Sequence, residues 1–245
     1  MKMLFLGAAL VLTLPMVSSA ETRFASGPAK TALVELYTSE GCSSCPPAEA
    51  WMSRLKDNPG LWKQFVPIAF HVDYWNNLGW RDRFSSAKWT ERQRRYGALW
   101  NSTSVYTPAV VMNGDEVRNW SSRNPALPND AKTGSLTART ANGQTFEIEF
   151  KPTLGEQGDW QVHAALLTSG ISEKIGAGEN SGRNLKHDFV VMALHDAPMK
   201  TEGGTQHASL TLASPNKTEG RRAVAVWVTS GDRLAPVQAT GGWLP

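Results

Sequence analysis

The sequence predicts an α/β domain, in which helices flank a mixed central sheet, followed by a mostly antiparallel β module. Two near-continuous apolar runs, residues 32–37 and 65–73, have the composition of buried parallel strands, and an amphipathic helical pattern lies between them. From about residue 135 onward, short alternating strands are separated by turn residues at regular intervals, as in an antiparallel module.

The first domain is predicted over residues 31–134. Residues 38–41 form a turn after its first strand, and Pro46 and Pro47 fit the first turn of a helix, where a missing N–H has no cost. The apolar face of this helix follows the spacing i, i+3, i+4 and i+7, at Ala48, Trp51, Met52 and Leu55. Because strand, helix and strand form a βαβ unit, we expect the two strands to be parallel with a right-handed crossover.

A second helix is predicted after Ser85 or Ser86, either of which fits the N-cap position. Arg92 and Gln93 fall on its buried stripe, where apolar residues are expected. They have two readings: long stems that lie along the edge of the stripe with their polar ends in solvent, or polar side chains held under a functional site. The stripe itself consists of Trp89, Tyr96, Leu99 and Trp100.

The remaining elements are predicted to be strands. An Asn-Gly pair at residues 113–114 joins residues 109–112 to residues 116–120 in a hairpin. The sandwich-like β module covers residues 135–245, with strands at residues 135–140, 145–150, 160–168, 189–194, 208–212 and 223–228. Glu179 and Arg183 lie in a turn of this module, where they either pair with each other or reach the first domain.

The N-terminus has the pattern of a cleaved export signal. Lys2 precedes an apolar run over residues 3–17, and the small residues at positions 18–20 form a cleavage site. This run is shorter than the roughly 20 apolar residues that a membrane-spanning helix needs. We therefore expect residues 1–20 to be a signal peptide, residues 21–30 to be a flexible lead, and the protein to be exported to the periplasm or secreted.

The composition argues against a polyanionic partner. The chain has 25 basic and 22 acidic residues, a formal net charge of +3. It therefore lacks the basic excess with which nucleic-acid-binding proteins neutralise phosphates. No segment after the N-terminal run is apolar enough to cross a bilayer. We expect neither a nucleic-acid partner nor a membrane span after signal cleavage.

The chain has two cysteines, Cys42 and Cys45, with two serines between them. A bridge that closes so short a loop adds little stability, so the pair has to be explained by redox reactivity, metal binding or an inert bridge. Structural zinc needs four ligands, and the histidines at positions 71, 163, 187, 195 and 207 provide no paired ligands. A C-x-x-C pair between a buried strand and a helix favours redox chemistry, with no metal and no cofactor.

The two cysteines are predicted to have different roles. Unpaired N–H groups at the start of a helix stabilise a thiolate, which is the attacking species. Cys42 is expected at the exposed tip, while Cys45 extends the buried stripe, so Cys42 attacks and Cys45 resolves the mixed disulfide. Glu40 opposes this assignment, since a nearby carboxylate disfavours the thiolate.

His71, Asp73 and Trp75 end the second strand at its carboxyl end, where open α/β sheets bind their ligands. Their alternation predicts that they share one face. His71 or Asp73 could accept the proton of the second thiol. The other reading is a hydrogen-bonded structural pair.

Several stretches of the sequence carry a resemblance to a known family: residues 39–48, 71–76, 78–80, 92–93 with 96, 106–108, and 178–180 with 182–183. In these stretches the chain resembles the DUF1223 family of exported thioredoxin-like proteins. An X-Pro bond is ordinarily trans. The resemblance implies instead a thioredoxin-like domain in which a cis Thr107–Pro108 bond lies against the cysteine pair. Gly41, the Ser-Ser dipeptide and Ala50 depart from ordinary thioredoxins, so the resemblance implies the fold and not the redox potential or the substrate.

These features together predict an exported thiol–disulfide oxidoreductase. Its substrates would be thiols or disulfides of exported proteins, and a redox-recycling protein would be its partner. Cys42, Cys45, Thr107 and Pro108 would form the catalytic site. The alternative is a non-catalytic binding protein with a structural bridge and a tryptophan-rich binding surface. The reactivity of Cys42 discriminates between the two.

Overall fold

The computed structural model describes residues 21–125, 131–153, 158–213 and 219–245. The predicted signal peptide lies outside the described residues. Of the residues described, 45% are in strands and 13% in helices, so the protein is mostly β. None of the described helices combines the length and the apolar character that a membrane crossing requires.

The described residues form 15 strands and two α-helices. In the first half these are β1 (Thr22–Ala25), β2 (Ala32–Thr38), α1 (Pro46–Arg54), β3 (Phe65–His71), α2 (Ala87–Leu99), β4 (Ala109–Met112) and β5 (Asp115–Glu116). In the second half they are β6 (Gly134–Thr140), β7 (Thr145–Pro152), β8 (Trp160–Ser169), β9 (Ile171–Lys174), β10 (Asn184–His187), β11 (Val190–Pro198), β12 (Lys200–Glu202), β13 (Thr205–Thr211), β14 (Arg221–Ser230) and β15 (Gln238–Trp243).

These strands form three sheets. The largest has eight strands in the order β15-β14-β8-β11-β3-β2-β4-β5. A five-stranded sheet has the order β1-β6-β7-β13-β12, and β9 and β10 form a two-stranded sheet. The predicted βαβ unit is present, because β2 and β3 pair in parallel along their whole length on either side of α1. The predicted hairpin is present as β4 and β5.

The predicted fold class is wrong. In place of a helix-flanked thioredoxin-like α/β domain and a separate β module, both halves of the chain contribute strands to the eight-stranded sheet. The halves meet where β3 pairs in parallel with β11, at Ala69 and Val190. The physical reason is that every residue of β3 is buried, so its second edge needs a neighbouring strand, and β11 provides it.

The two helices pack on opposite faces of the large sheet. Thr38 of β2 donates a hydrogen bond to Glu49 of α1 (2.6 Å), while the adjacent Tyr37 lies edge-on to Tyr96 of α2 (6.4 Å between centroids). Successive strand residues point to opposite faces, so α1 and α2 cover different sides of β2. This arrangement places α1 and the loop before it at the carboxyl ends of β2 and β3.

A second apolar cluster lies between the five-stranded sheet and one face of β8 and β14. In place of the predicted flexible lead, β1 pairs with β6 in this sheet, and Phe24 is buried in the cluster. Alternate residues of β8, such as Ala165 and Leu167, belong instead to the core that contains α1 and α2. Strand β8, from the second half of the chain, therefore contacts the five-stranded sheet on one face and the core that contains α1 and α2 on the other.

Candidate functional site

Cys42 and Cys45 form a disulfide directly before α1. Cys45 is the N-cap residue, and its carbonyl accepts hydrogen bonds from the N–H groups of Ala48 (2.9 Å) and Glu49 (3.1 Å). Both cysteines are 0% exposed. The expectation that Cys42 lies at an exposed tip is therefore wrong.

Cys42 is buried because a loop from the second half, residues 178–183, packs against it. Asn180 donates hydrogen bonds from Nδ2 to the carbonyls of Glu40 (2.8 Å) and Cys42 (2.9 Å), and Arg183 donates to Asn180 Oδ1 (2.7 Å). The side chain of Asn180 thereby fixes the backbone on the N-terminal side of the disulfide.

Glu179 of the same loop reaches the residue that follows Cys42. Its Oε2 accepts a hydrogen bond from the backbone N–H of Ser43 (3.1 Å). Hydrogen bonding to Ser43 lowers the pKa of Glu179. Glu179 therefore reaches the first half of the chain, which is the second of the two alternatives predicted for this turn. Its carboxylate lies near the start of α1.

The Thr107–Pro108 peptide bond is cis, as the resemblance implied. Ser44 connects this loop to the disulfide, because its Oγ lies 3.4 Å from Cys42 Sγ and donates a hydrogen bond to the carbonyl of Thr107 (3.5 Å). Trp75 Nε1 donates a hydrogen bond to Thr107 Oγ1 (2.8 Å). The cysteines, Thr107 and Trp75 are therefore brought together.

Arg92 and Gln93 have different environments. Gln93 donates from Nε2 to the carbonyl of Tyr106 (2.6 Å), which supports the backbone before Thr107. Arg92 forms a buried, two-pronged ion pair with Glu35 (2.9 and 3.1 Å) on the face covered by α2, away from the disulfide. Neither alternative predicted for Arg92 therefore holds, because its guanidinium is buried and does not lie under the cysteines.

A group of buried ionisable residues lies under the start of α1. We call this group the ion cluster, and its members are Glu40, Glu49, His71, Asp82 and His187. Glu49 and His187 form its centre, with His187 Nδ1 donating to Glu49 Oε2 (2.7 Å). His187 Nε2 lies 3.2 Å from Glu40 Oε1, without the alignment of a hydrogen bond. Burial lowers the pKa of His187, but Glu40 and Glu49 outweigh burial and raise the pKa to about 10. His187 is therefore an imidazolium at neutral pH.

His71 and Asp82 form the other part of the ion cluster. His71 Nδ1 donates to Asp82 Oδ2 (2.7 Å), which also accepts from the N–H of Glu40 (2.9 Å). Burial raises the pKa of Asp82, but the charge and hydrogen bond of His71 and two backbone donors outweigh it, so the pKa is lowered. The rings of His71 and His187 lie edge-to-face, 5.1 Å apart.

Asp73 does not join His71. Strand β3 ends at His71, so the predicted alternation stops there. Asp73 instead accepts a hydrogen bond from Thr90 Oγ1 of α2 (2.5 Å). The prediction that His71, Asp73 and Trp75 share one face is wrong, and Asp73 is held at the helix on the opposite side of the sheet.

Glu40 is held in place by Trp80, whose Nε1 donates to Glu40 Oε2 (2.6 Å). Trp80 in turn packs on Gly178, where an added Cβ would lie 3.3 Å from Trp80 Cβ and 3.2 Å from the carbonyl of Leu78. Gly178 also has a φ of +75°, which favours glycine. The 178–183 loop and the ion cluster are thus connected through Trp80.

The ion cluster fits a metal ion poorly. Glu49, His71 and His187 each place one donor atom within 4.8 Å of the others. However, His187 is protonated, and Nδ1 of both histidines is already hydrogen-bonded to a carboxylate. The space between these residues is too small for a water molecule. The arrangement fits a hydrogen-bonded ion cluster better than a metal site.

Sequence reasoning missed Glu49, Asp82 and His187. Glu49 carried a usable signal, because an acidic residue four positions after Cys45 falls on the buried side of the helix. Asp82 and His187 come from distant parts of the chain and have no local pattern that could place them here.

Comparison with known proteins gives a family and two related structures. A family model described as "Protein of unknown function (DUF1223)" matches residues 33–229. The crystal structure of protein AGR_C_4864 from Agrobacterium tumefaciens is similar, with 25% identity and a TM-score of 0.64 over 87% of this chain and 94% of that chain. HBP35 of Porphyromonas gingivalis has 12% identity and a TM-score of 0.55 over 89% and 76% of the respective chains, a likeness of fold alone. No curated protein matches.

Proposed function

The chain belongs to the DUF1223 family, and we propose that it is an exported thiol–disulfide oxidoreductase that acts through Cys42 and Cys45. The disulfide as such is compatible with a redox or a structural role. One observation carries the redox proposal: the bridge lies at the N-terminus of α1, above a buried ion cluster, and beside Thr107.

A structural role explains this bridge poorly. Its two cysteines are three positions apart, so it removes little entropy from the unfolded chain. The backbone around it is already held by Asn180, which bonds the carbonyls of Glu40 and Cys42. A bridge that adds little to an already fixed loop supports a role in chemistry.

The helix start favours reactivity. The positive end of the α1 dipole lies at Cys45, and cysteines at helix N-termini form thiolates more readily. In the proposed reaction, the Cys42 thiolate attacks a substrate disulfide, forms a mixed disulfide and releases one substrate thiolate. Cys45 then attacks Cys42 Sγ, which re-forms the Cys42–Cys45 bond and releases the second thiolate. Two electrons pass to the substrate, and a reducing dithiol protein returns them.

Burial of both sulfurs sets a condition on this reaction. A thiolate can exchange only with a sulfur that it reaches, so substrate access requires the 178–183 loop or the exposed Ser43 and Ser44 to move. The same burial favours the second candidate function, a non-catalytic binding protein with a permanent bridge. The pattern of residues 1–20 supports export in either case.

Trapping of mixed disulfides tests the proposal. Cys45→Ser should accumulate mixed disulfides between Cys42 and exported proteins, because attack survives and resolution is lost. Cys42→Ser is the matched control and should trap nothing. Non-reducing gels of cells that express each variant at equal levels measure the adducts. If Cys45→Ser traps no more than Cys42→Ser does, the binding-protein function replaces this one.

A further inference from the structure

We infer that His187, from the second half of the chain, is a positioning residue for proton transfer at Cys45 and that it acts through Glu49. The inference rests on the proposed function and names residues for its resolving step. It also gives the second half of the chain a role in the redox site, since His187 ends β10.

Glu49 lies on the buried side of α1, close in sequence to Cys45. Cys45 and Glu49 are one turn apart, and the N–H of Glu49 donates to the carbonyl of Cys45 (3.1 Å). Side chains four residues apart lie on one face of a helix and lean toward its N-terminus. Both residues are buried, so the Glu49 carboxylate is an ionisable group one turn from the Cys45 sulfur and shielded from solvent.

His187 fixes the carboxylate of Glu49. Glu49 Oε1 accepts from Thr38 Oγ1 (2.6 Å) and Oε2 accepts from His187 Nδ1 (2.7 Å), so both oxygens are oriented. His187 is the cation placed between Glu49 and Glu40. Without it, two buried carboxylates would remain without a compensating cation, which is costly in a buried site.

Several ionisable groups surround His187. Glu49 faces it from α1, Glu40 from the loop before the cysteines, and His71 from β3. Asp82 is reached through His71 (2.7 Å). The neighbouring Asp188 is paired with Lys56 (2.8 Å), which compensates its charge.

The chemical step is the resolution of the mixed disulfide. Cys45 begins as a buried thiol, and burial without a partner disfavours its thiolate. The Glu49 carboxylate takes the proton, the Cys45 sulfur bonds to Cys42 Sγ, and the substrate sulfur leaves with the electron pair of the broken bond. When the bridge is reduced again, the proton returns from Glu49 to Cys45. His187 supplies the hydrogen bond and the positive charge that hold the Glu49 carboxylate in place as the acceptor.

The two attacks can be followed separately with 5,5′-dithiobis(2-nitrobenzoate). The reduced protein should release one thionitrobenzoate when Cys42 attacks the reagent and a second when Cys45 resolves the adduct. His187→Gln retains a donor for Glu49 but has no charge. We expect its second phase near pH 7 to slow about tenfold or more and its pH midpoint to rise by about one unit, with the first phase unchanged. Stopped-flow absorbance from pH 5 to 9 measures both phases.

His163→Gln is the matched control. His163 is a largely buried histidine of the same half, but it stacks on Trp227 and contacts Thr229 (3.0 Å) outside the ion cluster. Both phases of this variant should match those of the wild type. Glu49→Gln, which still accepts from Thr38, provides a second test if His187→Gln folds poorly, and its second phase should be as slow.

The possible results distinguish a failure of the role inferred for His187 from a failure of the proposed function. Wild-type protein that releases no second thionitrobenzoate contradicts the proposed function. A normal second phase whose pH profile is unchanged in both His187→Gln and Glu49→Gln contradicts only the role of His187. Stoichiometric binding of zinc to the wild type that is lost in His187→Gln would also overturn it, since the cluster would then be a metal site.

Discussion

Replacement of His187 by Gln should change the pH dependence of stability in one direction. Burial lowers the pKa of His187, yet Glu40 and Glu49 raise it overall from 6.5 to about 10. A histidine whose pKa is raised by folding contributes stability that is fully present below its unfolded pKa of 6.5 and is lost as the pH rises through about 10. The free energy of unfolding of the wild type should therefore fall toward that of the variant over this range.

The magnitude follows from the size of the shift. Each pKa unit is worth ~1.4 kcal/mol, so the wild type should lose ~1.4 kcal/mol per pH unit relative to His187→Gln between pH 7 and 10. A shift from 6.5 to about 10 corresponds to ~5 kcal/mol in total. This is close to the cost of breaking a buried ion pair, which is roughly 3–5 kcal/mol.

Urea unfolding of the bridged proteins at pH steps from 6 to 10 measures these differences. His163→Gln is the control, since burial first, and then Arg92 and Arg95, lower the pKa of His163 to about 3. Its imidazole is neutral above pH 7 in both the folded and the unfolded protein, so its difference from the wild type should stay constant there. Parallel curves for the wild type and His187→Gln from pH 7 to 10 would refute the ion-cluster reasoning.

Two further predictions concern the loop that packs on the cysteines. Glu179→Gln keeps an acceptor for the N–H of Ser43 but removes a charge near the start of α1. Iodoacetamide should therefore alkylate reduced Cys42 about twofold faster near pH 6 than in the wild type, and an equal or slower rate would contradict this. Gly178→Ala should destabilise the protein by about 1–3 kcal/mol, because it strains a positive φ and crowds Trp80. Gly182→Ala has a similar φ but nothing within 4 Å, so urea unfolding should give it the smaller loss; equal losses would exclude the Trp80 contact as a cause.

Some elements could be predicted because the residues that determine them are close together in the sequence. Strand β2, the proline-initiated helix α1, the N-cap at Ser86 and the hairpin around residues 113–114 all carry their patterns within a few residues. The shared sheet could not be predicted in this way. Pairing of β3 with β11 joins Ala69 to Val190, and a sequence pattern shows that a strand is buried but not which distant strand covers its edge.

The candidate site likewise combines local features that could be predicted with long-range contacts that could not. The disulfide could be predicted because a C-x-x-C pair before a helix is a local motif. The burial of Cys42 could not, because it depends on Asn180, 138 positions away. Likewise, Glu49 lies on a predicted helix, but its partner His187 is also 138 positions away. Long-range polar contacts of this kind follow from the tertiary arrangement and leave no periodicity in the sequence.

Equilibration of the native protein with glutathione redox buffers tests whether the Cys42–Cys45 bridge takes part in thiol–disulfide exchange. We expect the Cys42–Cys45 bridge to be reduced and re-formed reversibly in the folded protein, with a potential above ~−300 mV, in the range of exchange-active pairs. Quantitative alkylation with mass spectrometry gives the reduced fraction at each buffer ratio. A bridge that stays oxidised throughout and becomes reducible only in denaturant would contradict the account and mark the disulfide as structural.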